Sequence, residues 1–507
     1  MTRGSIACAQ KGLFDMTSVA SPAAAIRIPQ TKLLIDGKWV DAVSGKTFGT
    51  RNPATEEIIA QIAEAGPEDA GLAVRAARRA LEEGPWGKIR AAERAQIMVR
   101  FAQLIREHKE EIVALESLDG GKPISSVRRQ DFPAMLDCIE YYAGWPDKIT
   151  GDVVPVRPDA LTYIARVPVG VVAAIVPWNF PLMNSMWKIA PALACGCTIV
   201  MKPATETPLT ALYLADLALQ AGLPPGVLNV IPGPGSTAGM ALVQNPDVDK
   251  ISFTGSPGVG KMIMEGAAPY VTRLTLELGG KSPNLIFGDA DIDAAVKGSS
   301  AGIFFNSGQV CSAGSRILVQ ENVYDEFCER MVARSKSLKV GDPLDESTYM
   351  GPIISQKQLT SIMNYIDAGK SEGARLSSGG ERIGTKGYFL EPTVFTEVDN
   401  SMKIAREEIF GPVAAVIRFK DEDDAVRIAN DSPFSLAAGV WTKDVVRAHV
   451  MAQRLRAGTV WVNTYGQSDT RLPWGGLGGD SGMGRDLGET ALDNYTDKKT
   501  IWVSLRR

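Results

Sequence analysis

Residues 169–203 read VGVVAAIVPWNFPLMNSMWKIAPALACGCTIVMKP, and the way this stretch folds decides the architecture. Its first part lies in an uncharged run of 21 residues, Val167 to Trp187, which is long enough to imitate a membrane span. Pro168, Pro177 and Pro181, with Asn179 between the last two, interrupt any continuous helix, so the run reads as strand, turn and helix start. A transmembrane helix is rejected. The apolar pieces VGVVAAIV and CTIVMKP then flank LMNSMWKIAPALAC, a segment of helix length.

The same alternation continues downstream. TPLTALYLADLALQAG, STAGMALVQNP and GVGKMIMEGAA read as helices, and VLNVIPG, KISFTG and RLTLELGG as strands between them. Strands without polar alternation, in strict turn with helices, predict a parallel sheet covered on both faces. In such a sheet ligands bind beyond the carboxyl ends of the strands. Upstream, KLLIDGKWVDAVSGKTFGTRN predicts a hairpin, followed by helices over PEDAGLAVRAARRALEEG and AAERAQIMVRFAQLIREHKEEIVALESLDGG, the latter stopped by Gly120 and Gly121. A second alternating region from about Ser282 to Ser468 predicts a second α/β domain.

Composition narrows the function classes. The 507 residues suffice for about three units of ordinary domain size, and 45% hydrophobic with 22% charged residues is the balance of a soluble globular chain. Lys plus Arg number 54 against 58 Asp plus Glu, a net charge of −4, which offers nothing to nucleic acid or an anionic membrane. The six cysteines form no CxxC pair and no zinc spacing, so free thiols in a reducing, cytoplasmic setting are expected, with no metal. His108 and His449 are the two histidines, both in helical stretches, so a nucleophile here must be activated by something other than histidine. Residues 1–28 lack an apolar run of signal-peptide length and read as a loose tail, with Met16 an alternative start.

Five places carry chemistry. In TGSPGVGK, Ser256 suits an N-cap, Pro257 the first helical position, and Gly255 lets backbone amides approach an anion such as a pyrophosphate. Lys202 stands at the carboxyl end of a strand, within reach of ribose hydroxyls. Prolines on both sides aim the Asn179 amide, as an oxyanion donor requires. Glu277 lies in a strand that reads as buried, so it needs a partner or a raised pKa, which makes it a candidate general base. Cys311, in GQVCSAGSR, is a candidate nucleophile. Each has a plainer reading too: a tight turn, a solvated lysine, an Asx turn, a structural ion pair and a buried filler cysteine.

Six motifs in order, PWNFP, KPATETP, FTGSPGVG, LELGGKSP, FFNSGQVCSAGSR and EEIFGPV, resemble the NAD(P)-dependent aldehyde dehydrogenase superfamily, over nearly the whole chain from about Leu34. The resemblance implies Cys311 as nucleophile, Glu277 as base and Asn179 as oxyanion donor. It implies that Lys202 and Glu408 hold the two ribose groups, that Gly255 and Ser256 carry the pyrophosphate, that Phe410 touches the nicotinamide side, and that Trp178, Thr205 and Leu278 also face the cofactor. Phe180, Asn184, Trp187, Phe305, Gln467 and Ser468 map to the substrate funnel, apolar within and polar at its mouth, and imply a neutral aliphatic or aromatic aldehyde. No arginine is clearly placed to clamp a substrate carboxylate, although Arg471 could be, which is why a neutral aldehyde is expected.

The implied fold is a Rossmann-like cofactor domain (29–146 and 168–279), a second α/β catalytic domain (280–479) and a small β oligomerisation arm (147–167 and 480–507), in a homodimer or homotetramer. Thr205 stands where NAD-preferring members carry an acid, with Glu206 one step later, so NAD is expected with NADP also open. PWGGLGGDSGMGR departs from the family segment by one extra residue and a missing lysine. A coenzyme-A-acylating relative and a non-catalytic nucleotide-binding descendant are the rival readings. Retention of Glu277 speaks against the first, and of Cys311 with Glu277 against the second.

Overall fold

The computed structural model describes residues 26–28 and 30–506, so the tail expected over 1–28 lies almost wholly outside the described residues. Its centre is a sheet of eight strands. Five are parallel, in the order Arg273–Glu277, Lys250–Thr254, Val171–Ile175, Thr198–Lys202 and Leu228–Val230. The hairpin Leu33–Ile35 with Lys38–Val40 extends one edge, and Gly482–Met483 pairs antiparallel with the other. Val172, Ala174, Ile199 and Met201 enter the core on one face, and Val171, Ala173, Val200 and Ile251 the core on the other. Alternate residues thus bury on opposite faces, which is why these strands carry no polar alternation.

Strand order reverses beside Val171–Ile175: the next two strands in the chain stack on one side of it, and the two after that on the other. The register aligns Ile175 with Lys202 and Phe253, and Thr254 with Glu277. One carboxyl edge therefore presents the PWNFP turn, Lys202, the Gly255–Ser256 turn and Glu277 together, at the switch point where α/β sheets bind ligands.

The second alternating region forms a seven-stranded sheet, ordered Arg375–Ser378, Thr393–Thr396, Val413–Phe419, Arg316–Gln320, Pro283–Ile286, Ala437–Trp441 and Thr459–Val462, parallel except for its first strand. It too is buried on both faces, with Leu318 and Val440 on one side and Ile317 and Ala437 on the other. A third, small sheet joins Asp152–Val153, Ala160–Pro168 and Thr496–Ser504, the last two as an antiparallel ladder from Thr496↔Pro168 to Ser504↔Ala160. The chain from residue 480 onward divides: Gly482–Met483 completes the first sheet, Thr490–Tyr495 packs on the helix Pro181–Cys195, and only the final strand joins the small sheet.

Two helices differ from expectation. The long helix ending at Gly120 breaks at His108 (φ −98°, ψ 21°) into Ala91–Glu107 and Lys109–Gly120. The first half packs on Phe132–Ala143, both halves pack on Leu209–Gln220, and His108 Nδ1 lies 2.9 Å from the Tyr213 hydroxyl at the joint. STAGMALVQNP keeps only a π turn, Gly235–Gly239, and one helical turn, Met240–Val243, because its glycines weaken a helix.

Candidate active site

A cleft of about 790 Å³ opens between the carboxyl edge of the first sheet and the loop that precedes the strand Arg316–Gln320 of the second. Cys311, Asn179 and Glu277 line it together with Trp178, Gly255, Ser256, Leu278, Glu408 and Phe410, and with Phe180, Asn184, Trp187, Phe305 and Ser468. Lys202 and Thr205 are not on its wall; they follow the neighbouring strand, one buried and one partly exposed. Gln467 is off the wall as well, its side chain accepting from the Thr464 hydroxyl at 2.6 Å.

The loop carrying Cys311 is rigid and strained. Asn306, Ser307 and Gly308 follow one another in the left-handed region (φ 49°, 55° and 69°), a conformation that costs on the order of 1–3 kcal/mol for each non-glycine residue. Side-chain clamps hold it there. Ser307 Oγ donates to the Gly351 carbonyl at 2.8 Å, Ile354 N–H donates to Gln309 Oε1 at 2.9 Å, and the Tyr465 hydroxyl donates to the Ser312 carbonyl at 2.8 Å. A reciprocal pair ties the loop to the PWNFP turn: Asn306 Nδ2 donates to the Asn179 carbonyl, and Asn179 Nδ2 to the Gln309 carbonyl, both at 3.0 Å. One N–H of the Asn179 amide is thereby used for aiming. Its other N–H remains for a ligand.

Burial pushes the Cys311 thiol up to about 12, with the nearby Glu408 and Glu277 carboxyls acting in the same direction and backbone amides of Ser312 and Cys311 opposing. Glu277 is 3% exposed, and neither carboxyl oxygen has a hydrogen-bond partner among the described residues. Burial first, and the charge of Asp486 second, hold its carboxyl well above the usual range, against the opposing pull of Lys188 and Arg485. Of the alternatives open for Glu277, the structure shows a raised pKa and no direct ion pair.

Behind it, Lys188 and Asp486 form an ion pair whose side chains are 0% and 2% exposed. Gly475 lies so close that a Cβ there would stand 2.4 Å from Glu277 Oε1. Sequence reasoning did not single out Lys188, Asp486 or Gly475. The available signal was Lys188 itself, a charge that ends an uncharged run inside an apolar helix.

The cofactor side is preformed. The Lys202 ammonium is buried, donates to the carbonyls of Pro203 at 2.6 Å and Gly233 at 3.1 Å, and is pulled down to about 8 by burial, so the solvated-lysine reading falls. Ser256, in extended conformation, precedes the helix Pro257–Ala267 but its side chain caps nothing, and the Cβ position of Gly258 faces open space. First-turn N–H groups are thus left for an anion. Glu408, pushed up to about 7 by burial, accepts from Gly280 N–H at 3.0 Å. Phe410 (φ 55°) meets Trp178 edge-on at 5.2 Å, and Gln358 Nε2 donates to its carbonyl at 2.9 Å. An anion cradle, a carboxylate and an aromatic pair along one cleft, with a buried ammonium at the end of the neighbouring strand, fit a dinucleotide.

The substrate side is aromatic. Phe180 and Phe305 lie 6.1 Å apart, Trp187 and Trp474 likewise 6.1 Å apart, and the Lys122 ammonium, ion-paired with Asp131, sits 3.7 Å above the Phe180 ring. Trp474 is a further wall residue that the sequence reading had not named. Asn184 lines the cleft but lies inside it and not at its mouth: it is 5% exposed, and one N–H of its amide donates to the Phe180 carbonyl at 3.2 Å. Ser468 is exposed, as expected of the mouth.

The model of the aldehyde dehydrogenase family matches residues 39–501. The mitochondrial aldehyde dehydrogenase of Homo sapiens is 49% identical over 476 residues, 94% of this chain and 92% of that protein. Aldehyde dehydrogenase 1A1 of Gallus gallus is 46% identical over 492 residues, 97% of this chain and 96% of that one. Among solved structures, the NAD⁺ complex of aldehyde dehydrogenase from Bacillus cereus superposes with a TM-score of 0.94 at 48% identity, covering 96% of this chain and 99% of that chain.

Proposed function

The chain belongs to the aldehyde dehydrogenase family and oxidises an aldehyde with NAD, and on that premise we propose how its residues divide the work. Cys311 gives up its thiol proton, through the ionised Glu277 carboxylate to solvent, and adds as nucleophile to the aldehyde carbon. The oxyanion of the resulting thiohemiacetal is received by the spare N–H of the Asn179 amide and by the Cys311 backbone N–H. NAD, when bound, supplies the hydride acceptor. The thioester left on Cys311 is hydrolysed by a water whose proton passes to Glu277, releasing the carboxylic acid and the thiol. Glu277 must be ionised for this step, and Lys188 and Arg485 are the positive charges that favour its ionised form.

Lys202 and Glu408 hold the two ribose groups, the Gly255–Ser256 turn the pyrophosphate, and Trp178, Leu278 and Phe410 the nicotinamide side. NAD is preferred and NADP tolerated, because Glu206 places a carboxylate 3.0 Å from the Thr205 hydroxyl without occupying the family's usual acidic position. The substrate enters as a neutral aliphatic or aromatic body between Phe180 and Phe305. Residues 29–146 with 168–279 form the cofactor domain and 280–479 the catalytic domain. The small sheet, with Val153, Leu161 and Trp502 exposed, pairs subunits into a dimer or tetramer.

A single observation carries the reading: the nucleophile loop and the oxyanion turn are bonded to each other through Asn306 and Asn179, and share one cleft with an unpartnered buried carboxyl. The test is formation of reduced nicotinamide from a panel of aliphatic and aromatic aldehydes, with NAD and NADP separately, for wild type, Cys311→Ala and Glu277→Gln. Wild type turns over, Cys311→Ala does not, and Glu277→Gln gives a burst followed by slow turnover. Steady turnover by Cys311→Ala would refute the assignment.

A further inference from the structure

The helix Pro181–Cys195 starts without a cap of its own. Its first residue is a proline with no N–H to satisfy, and Phe180, at the N-cap position, has no side-chain oxygen to offer the next amide. The ring at that position walls the substrate cleft instead. The missing acceptor comes from another helix, Lys109–Gly120: Leu182 N–H donates to Glu116 Oε1 at 3.1 Å, and the Thr210 hydroxyl donates to the other carboxyl oxygen at 2.8 Å. Glu116 is 2% exposed. A carboxyl buried so deeply is costly unless its oxygens are bonded, and here both are spent on the two helices that follow the strands Val171–Ile175 and Thr198–Lys202.

The chain between Leu182 and the oxyanion turn is short and stiff. Leu182 is the third residue after Asn179. Pro181 fixes its own φ and restricts Phe180, and Pro177 stiffens the other side, so a displacement of Leu182 N–H passes to Asn179 with little loss. The turn is pinned from two sides. The nucleophile loop holds it through the bonds of Asn179 with Asn306 and Gln309, both at 3.0 Å, and Glu116 holds it from behind. Between the two anchors lies a void of about 10 Å³, room for one water at most, lined by Glu116, Lys122, Asn179, Asn306 and Gln309 among others. Glu116 and Asn179 thus border the same gap.

We propose that Glu116 is a positioning residue for the oxyanion step: by capping Leu182 it sets the direction in which Asn179 presents its free N–H to the thiohemiacetal. The inference rests on the reading of Asn179 as oxyanion donor and extends it to a residue that lies off the cleft wall. A misaimed donor leaves the binding of both ligands in place and lowers turnover. Removing such a donor outright costs on the order of 100-fold to 1000-fold, so a donor that is present but loosely aimed loses a smaller factor, about tenfold. What Leu182 N–H needs is an acceptor oxygen, and a glutamine side chain carries one too.

The experiment is a double-mutant cycle read in kcat, with the fastest aldehyde of the panel and saturating NAD: wild type, Glu116→Leu, Asn179→Ala and the two combined, with Glu116→Gln beside them. Glu116→Leu should lower kcat about tenfold in the wild-type background and less than about twofold in Asn179→Ala, while NAD affinity, measured by titration of protein fluorescence, and KM for the aldehyde stay within about twofold. Glu116→Gln should stay within about threefold of wild type. Thr210→Val removes only the hydroxyl that steadies the carboxyl. It takes the place of Glu116→Leu in the cycle should that variant not fold, with an expected factor of about three that again vanishes in Asn179→Ala. Equal factors in both backgrounds, or a Glu116→Gln variant as slow as Glu116→Leu, overturn the positioning role while a slow Asn179→Ala upholds the oxyanion donor. An Asn179→Ala variant as fast as wild type overturns both readings together.

Discussion

Replacing Asp486 by asparagine separates the two roles of the charge behind Glu277. Asp486 is held in its loop by backbone bonds that do not involve its side chain: Trp474 N–H donates to the Asp486 carbonyl at 2.7 Å and Asp486 N–H to the Trp474 carbonyl at 2.9 Å. The substitution therefore removes a charge and leaves the loop anchored. Its first consequence is structural. Lys188, 0% exposed, loses its counter-ion, and a stranded buried ammonium costs about 3 kcal/mol, at the low end for broken buried pairs because asparagine still offers an acceptor.

The second consequence is chemical. Asp486 bonds to Trp474, and Glu277 borders the next residue, Gly475, so the two carboxyls are near neighbours. The charge of Asp486 is, after burial, the largest influence that holds the Glu277 carboxyl up. Asp486 raises the Glu277 pKa, so its loss lowers it, and the ionised base becomes available at lower pH. The acid limb of the kcat profile should move to lower pH, while the denaturation midpoint falls. An acid limb that stays in place or moves up would show that Asp486 is not what keeps Glu277 protonated, whatever happens to stability.

Gly475→Ala would place a Cβ 2.4 Å from Glu277 Oε1 at a backbone φ of 145°, so the carboxyl must shift; kcat should fall about a hundredfold with little change in KM, and an unchanged kcat would show that Glu277 has room to spare. With its thiol near 12, Cys311 should be alkylated by iodoacetamide at a rate that still rises above pH 9 without a plateau, and addition of NAD, a positively charged ring near the thiol, should speed it at neutral pH; a plateau near neutral pH without NAD would contradict the burial argument. Burial pushes the carboxyls of Glu116, Asp119 and Glu408 up to about 7. A raised folded-state pKa means the folded chain holds protons that the unfolded chain has lost, so stability is greatest at low pH and falls as pH rises from about 4 to about 7, by about 1.4 kcal/mol per unit for each group. The urea midpoint should be lower at pH 8 than at pH 5.5, and the opposite order would refute the assignment.

Much of the architecture was legible because it is written in periodicity. Strands without polar alternation, such as Val171–Ile175 and Thr198–Lys202 with its Ile-Val-Met centre, read as buried on both faces, and the helices between them force parallel order. Prolines around Asn179 and glycines after Lys250–Thr254 marked the turns that face the cleft. The break at His108 was not legible, because it leaves no proline or glycine behind. Asn184 misled for a related reason: residue type says nothing of depth, and the fold buries this side chain inside the cleft and away from its mouth.

The sequence by itself determined which residue types stand at the strand ends and loops, and hence the family and the reaction class. Only the tertiary structure decided what those residues experience. Lys188 and Asp486 are 298 positions apart, yet their pairing sets the field at Glu277, and Asn306 reaches 127 positions back to aim Asn179. Secondary-structure pattern is a property of neighbouring residues along the chain. Burial, charge and the shape of a cleft are sums over neighbours in space, and those neighbours exist only once the chain has folded.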